Sequence, residues 1–323
     1  MTRIHEILQR FTLYNRLIEV SRTICLPGFD GLSLYEVGVF FAAGLVNGAI
    51  TTRAASIAYR FFLGLFPAVL FVISLIPYIP VPGFQEGVIQ LVTDAFPAEL
   101  GVFVEDTIRD VVMEQRTGLL SATFLFSLYM ASRGVLGIIR SFDAGYHDVQ
   151  THPRAYQWLV SIGLVFVFGM LLLVASVAQI VGGTLMDRFA AIGLLPGGVY
   201  TFLLDLARLL LVALLLLLSI SALYYWARVK PARYRFISAG SSLATLAILV
   251  VNAGFNVYLS NVSRWNAIFG SLGTIIVLLV WMYANSLVVL IGFELNVSIS
   301  EARDSQARDS QSRGGKRDSP PGT

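Results

Sequence analysis

VYTFLLDLARLLLVALLLLLSISALYYW, residues 199–226, is the stretch that decides how the chain folds. At about 1.5 Å per residue, a helix of this length reaches roughly 42 Å, more than the ~30 Å of a bilayer's hydrocarbon core. Its apolar residues run continuously, where a barrel strand would alternate. They also surround the helix on every side, where a soluble surface helix keeps one polar face. Only Asp205 and Arg208 interrupt the run with charge.

Five further stretches have the same character: about 54–78, 119–139, 158–181, 236–259 and 270–297. Six spanning helices define an all-α polytopic membrane bundle. Composition agrees: of 323 residues 56% are hydrophobic and 13% charged, with a mean hydropathy of +0.73. A soluble domain carries about 25% charge and needs it to cover its surface. The single cysteine, Cys25, excludes a disulfide scaffold.

The chain divides into an N-terminal segment 1–35, a membrane domain 36–299 and a tail 300–323. In the first, Ile4, Ile7, Leu8, Phe11, Leu17 and Ile18 recur at helical spacing, as in an amphipathic helix at a membrane surface or a packing helix. Residues 37–50 are apolar but too few to span, so an interfacial or re-entrant helix is expected. Residues 79–118 form the longest loop and hold seven acidic residues, with amphipathic helical spacing over 99–115. The tail repeats Ala-Arg-Asp-Ser-Gln at 302–306 and 307–311 and ends in glycine and proline, a composition that reads as disordered.

Basic residues set the orientation. Sixteen of the 23 lie in the N-terminal segment, in the loops after the second and fourth spans, and in the tail. Four, Arg109, Arg116, Arg188 and Arg264, lie in the opposite loops. The positive-inside rule then places both termini in the cytoplasm. The net charge of +3 reports this asymmetry, and no nucleic-acid partner is expected.

Charge inside a span is costly and marks function or pairing. Five residues qualify: Arg60, Arg133, Asp205, Arg208 and Glu294. Arg60 and Arg133 lie about 9 and 10 Å in from the cytoplasmic ends of their spans, and Glu294 is close to the same level. One layer of two guanidiniums and a carboxylate is expected. It reads either as structural pairing or as a site for an anionic lipid or amphiphile headgroup. Asp205 and Arg208 are three apart and share a face, as do Asn252 and Asn256 at i, i+4. With Gln179 and Asn285 these either line a polar outer cavity or bond helix to helix. Pro67 interrupts the first span's hydrogen bonding, and Gly134, Gly137, Gly273 and Gly292 allow close helix contact.

Catalytic chemistry is not written in the sequence. There is no phosphate-binding glycine loop, no nucleophile elbow and no metal-ligand spacing. His147, Asp148 and His152 match no metal motif. No cofactor and no metal are expected, and the chain reads as a non-enzyme.

Particular residues resemble the YihY/BrkB family. Ala54-Ala55-Ser56-Ile57-Ala58-Tyr59-Arg60, followed by Leu65-Phe66-Pro67, is similar to that family's first-helix signature. Asn266, Gly270-Ser271-Leu272-Gly273, Trp281, Tyr283 and Gly292-Phe293-Glu294-Leu295-Asn296 resemble its last-helix motif. Tyr224, Pro231, Gly240 and Tyr258 fall in order between the two, so the likeness spans residues 35–299. The chain departs from the pattern near Asp143 and Tyr146, where the family favours Asn before the aromatic. The resemblance implies a six-span protein of the bacterial inner membrane. The ribonuclease BN name that the family has carried finds no nuclease cluster here. A transporter-like or flippase-like role for a lipid or amphiphile is what the resemblance and the polar layer imply together. A non-transporting scaffold for envelope partners is the alternative, and a ribonuclease the remote one.

Overall fold

The computed structural model of the chain describes residues 28–29, 31–47, 49–78, 117–143, 153–191, 197–227, 235–261 and 271–315, with isolated positions at 19, 85–87, 89 and 115. The amphipathic segment expected at 4–18 and all but residue 115 of the one expected at 99–115 lie outside the described residues, as do His147, Asp148 and His152.

The described helices are α1 (Leu34–Asn47), α2 (Ile50–Leu75, continued by a 3-10 turn Ile76–Tyr78), α3 (Thr117–Asp143), α4 (Arg154–Ala191), α5 (Gly197–Trp226), α6 (Ala239–Asn261) and α7 (Ser271–Gly315). No strand appears among the described residues. Among the described residues six helices are long and apolar enough to cross a membrane, and α1 is too short.

Each boundary has a local cause. α1 starts on a capping box. Glu36 N–H donates to Ser33 Oγ at 3.2 Å, and Ser33 N–H donates to the Glu36 carboxylate at 3.1 Å. Ala49, at φ 45°, turns the chain sharply between α1 and α2. α2 runs unbroken through Pro67, whose carbonyl accepts from Ser127 Oγ on α3 at 2.6 Å.

Arg53 on α2 donates to the Ser141 carbonyl of α3, while Ser74 and Thr123 hydroxyls meet at 3.0 Å, so α2 and α3 run antiparallel. Gly240 pairs with Asn296, and Asn252 with Asn285, so α6 and α7 do the same. The starts of α2 and α6, the ends of α3 and α5, and residues 286–300 of α7 therefore share one end of the bundle, here the basal end.

Burial is concentrated there. Ile50, Ala54 and Ile57 join Val135, Ile139, Phe142, Ile220, Leu223, Tyr224, Leu290, Phe293 and Val297 in one core. Toward the other end Val72, Phe126, Leu172, Leu173, Phe202, Leu210, Val250 and Ile276 are exposed. In water such a surface would far exceed the few hundred Å² of apolar patch that monomers show. In a bilayer it is the lipid-facing surface.

One expectation is corrected. The tail, read as disordered from Glu301, continues α7 as helix to Gly315. Polar composition alone does not favour helix. Here the helix is seeded by the preceding span and docked, since Ala302 is buried with Phe29, Leu32, Val37, Leu295 and Ile299. Gln306 Nε2 adds a hydrogen bond to Glu36 Oε1 at 2.9 Å.

A polar basal junction and an apolar cavity

Five consecutive residues of α7, Gly292 to Asn296, between them meet α1, α3, α5 and α6. At about 100° per residue they circle the helix completely, and all five are buried. Gly292 brings α7 against α6 and α5. A Cβ there would overlap Tyr224 Oη, the Ala244 Cβ and the Gly240 carbonyl. Phe293 stacks on Phe142 of α3, with centroids 3.7 Å apart and planes at 8°. Tyr224 packs edge-on to both rings, and its hydroxyl donates to the Val289 carbonyl at 2.6 Å. Leu295 joins the α1 cluster. Asn296 accepts from Gly240 N–H at 2.9 Å and donates to Ser238 Oγ at 2.8 Å.

Glu294 is 5% exposed and lies against Gly44 of α1, where a side chain would collide with its carboxylate. The charges acting on it are Arg53 and Glu301. Arg53 also donates to the Ser141 carbonyl, so its guanidinium ties the start of α2 to the end of α3. The carboxylate was expected to share a layer with Arg60 and Arg133. Its basic neighbour is instead Arg53, about two helical turns nearer the start of α2 than Arg60. A count of loop charges assigns Arg53 to the orientation signal and so passes it over.

Arg60 and Arg133 are placed differently. Arg60 is half-buried, its aliphatic stem lying on Gly137 of α3 so closely that a Cβ there would overlap it. Arg133 is exposed, with its guanidinium 5.9 Å from the Tyr129 ring centroid. Neither makes a hydrogen bond or an ion pair among the described residues.

Asp205 and Arg208 pair at 3.8 Å, as their spacing suggests, but their side chains are 77% and 48% exposed. They sit on the bundle surface. Asn252 and Asn256 part company. Asn252 accepts from Trp281 Nε1 at 2.7 Å and donates to the Ile248 carbonyl and to Asn285 Oδ1, at 2.8 and 3.4 Å. Asn256 is exposed. Of the two readings of these amides, Asn252 follows interhelical bonding. The Gln179 side chain lies outside the described residues.

A cavity of about 220 Å³ lies between α2, α3 and α7. Ile57, Phe61, Ile138, Met282 and Val289 form its apolar wall, and Trp281, Asn285 and Ser286 its polar groups. No sequence pattern pointed to it, because its wall comes from three helices far apart in the chain. Among the described residues no three His, Cys, Asp or Glu side chains gather as a metal site. Asp143, at the position that departs from the family pattern, accepts from Gln157 Nε2 at 2.7 Å and joins α3 to α4.

Fold and composition thus define a polytopic α-helical membrane protein. The chain belongs to the virulence factor BrkB family, whose model matches residues 42–316. It is similar to the putative ribonuclease-like protein YfkH of Bacillus subtilis, at 29% identity over 78% of this chain and 90% of that one. It is also similar to the UPF0761 membrane protein VSAL_I2938 of Aliivibrio salmonicida, at 25% identity over 82% and 83%. A UPF0761 membrane protein of Tolumonas auensis is 24% identical over 90% and 91%. No solved structure matches the chain.

Proposed function

We propose that this protein binds an anionic lipid or amphiphile in the bacterial inner membrane and moves it between leaflets, as a transporter or flippase without catalytic activity. The observation that carries the reading is the division of labour among the intramembrane arginines. Arg53 donates to the end of α3 and feels the charge of Glu294, whereas Arg60 and Arg133 carry no acidic partner among the described residues. An unneutralised guanidinium inside a span is costly unless an anion or interfacial water meets it, and arginine binds phosphate and carboxylate in a fork. The arginine-rich basal side is cytoplasmic on the positive-inside rule, with both termini there.

The test replaces Arg60 and Arg133 by Gln and follows lipid binding by native mass spectrometry. The proposal expects the preference for anionic over zwitterionic lipid to fall about tenfold, as loss of ~1.4 kcal/mol dictates. An unchanged preference in a folded double variant overturns it.

The exposed polar turn from Ser305 to Arg308 favours a second reading, a scaffold that holds envelope partners. In-cell crosslinking from that turn should then recover one stoichiometric protein partner. The ribonuclease-like name of the Bacillus subtilis relative would extend to this chain only if rigorously purified protein cleaved RNA in a metal-dependent way.

A further inference from the structure

We infer that the cavity between α2, α3 and α7 holds a hydrocarbon chain of a membrane amphiphile, the tail whose headgroup meets Arg60. The inference rests on the amphiphile reading above and adds to it a site for the apolar part.

The polar groups of the cavity decide its chemistry. Trp281 Nε1–H is already donated to Asn252 Oδ1 at 2.7 Å. Asn285 donates to the Trp281 carbonyl at 2.9 Å and accepts from Asn252 at 3.4 Å. Ser286 Oγ donates to the Met282 carbonyl at 2.7 Å. Trp281, Asn285 and Ser286 thus each spend a donor on a helix carbonyl or on the neighbouring amide. What remains toward the cavity is mostly carbon from Ile57, Phe61, Ile138, Met282 and Val289. A sealed apolar cavity of ~150 Å³ already admits a benzene-sized molecule. This one is larger, at about 220 Å³.

Position selects the occupant among apolar molecules. The wall residues all lie in membrane-spanning lengths of their helices, so lipid tails are the apolar groups at hand. Arg60 lies between the wall residues Ile57 and Phe61 on α2, and its stem runs along Gly137 beside Ile138. A cation on the same helix as two wall residues, its stem against the neighbour of a third, matches a molecule with an anionic head and a hydrocarbon tail.

The experiment uses the full chain in detergent with two photoactivatable lipids. Both carry a diazirine in the acyl chain, one on a phosphatidylglycerol head and one on a phosphatidylcholine head. Adducts are mapped by mass spectrometry. The inference expects adducts on Ile57, Phe61, Ile138 or Met282, and about tenfold fewer there in Val289→Phe, which fills the space. Adducts on the outward-facing Leu172 and Leu173 should persist and report a folded protein. Val289→Leu is a milder filling variant if Val289→Phe does not fold. Adducts confined to the outward-facing residues, or cavity labelling unchanged by filling, overturn the inference. Cavity labelling equal for the two heads keeps the tail site and overturns the anionic reading. Anionic preference in native mass spectrometry without cavity labelling does the reverse.

Discussion

Gly240 gives its backbone N–H to Asn296 Oδ1 at 2.9 Å, so a side chain of α7 caps the first turn of α6. The rest of that turn is served locally. Ser241 N–H donates to Ser238 Oγ at 3.1 Å, and Ser238 N–H to Ser241 Oγ at 2.9 Å. The first N–H groups of a helix have no partner within it, and inside a membrane no water replaces one. Asn296 therefore joins two spans through a group that would otherwise be orphaned.

Asn296→Ala is expected to destabilise the bundle by about 1–3 kcal/mol, the cost of a buried donor left unmet. Gly240→Ala should cost at least as much, because its Cβ would run into the Gly292 carbonyl and Asn296. Thermal unfolding in detergent, followed by helical circular dichroism, measures both. Because the two residues share one contact, the double variant should cost less than the sum.

At Glu294, Ala removes the charge facing Arg53, and the expected loss is on the order of 2–4 kcal/mol. Gln keeps the shape and should lose less. Gly44→Ala, on a different helix, should produce a comparable defect by steric overlap with the same carboxylate. Yields of folded protein by fluorescence-detected size exclusion would rank the three. Equal behaviour of Gly44→Ala and wild type would remove Glu294 from the α1 contact.

Tyr224→Phe tests the hydroxyl bond to the Val289 carbonyl apart from the ring packing. The loss should be near ~1 kcal/mol, the net worth of one hydrogen bond. Phe142→Ala, which empties the stack with Phe293, should cost about 3–5 kcal/mol. A chemical or thermal melt of the two variants side by side checks the order.

Glu36 links the α7 extension to α1 and titrates outside the spans. Hydrogen bonds from Gln306 and then from Ser33 hold it below the ordinary glutamate range. A carboxylate lowered in the folded state adds stability above its unfolded value and loses it as pH falls through the folded one. Docking of residues 300–315 should therefore hold at neutral pH and weaken in the acid range below ordinary glutamate. Limited proteolysis of this segment across pH reads it out. Gln306→Ala should move the midpoint upward, toward the ordinary value.

The spans were readable because length and continuous apolarity are properties of one stretch at a time. Residues 54–78 were expected, and Ile50–Tyr78 is found; 119–139 compares with Thr117–Asp143. The Ser33-Leu34-Tyr35-Glu36 capping box also lies in plain sequence, as a Ser-x-x-Glu spacing, and that signal alone would have located the start of α1. Glu294 was legible as an intramembrane carboxylate, but its neighbour was not. Depth along a helix says at what level a side chain lies and nothing about its azimuth, and azimuth turns Arg133 to the surface and Arg53 toward Glu294. The helical extension past Glu301 was missed for a related reason, since composition does not report what a segment docks against.

By itself, then, the amino-acid sequence determined a six-span helical membrane protein with its family motifs, because hydrophobic length and residue order act locally. The tertiary structure alone decided which charges meet, which amides are consumed between helices, and where an apolar cavity remains. Those depend on the rotation of each helix about its axis, which is settled only when all the helices pack together.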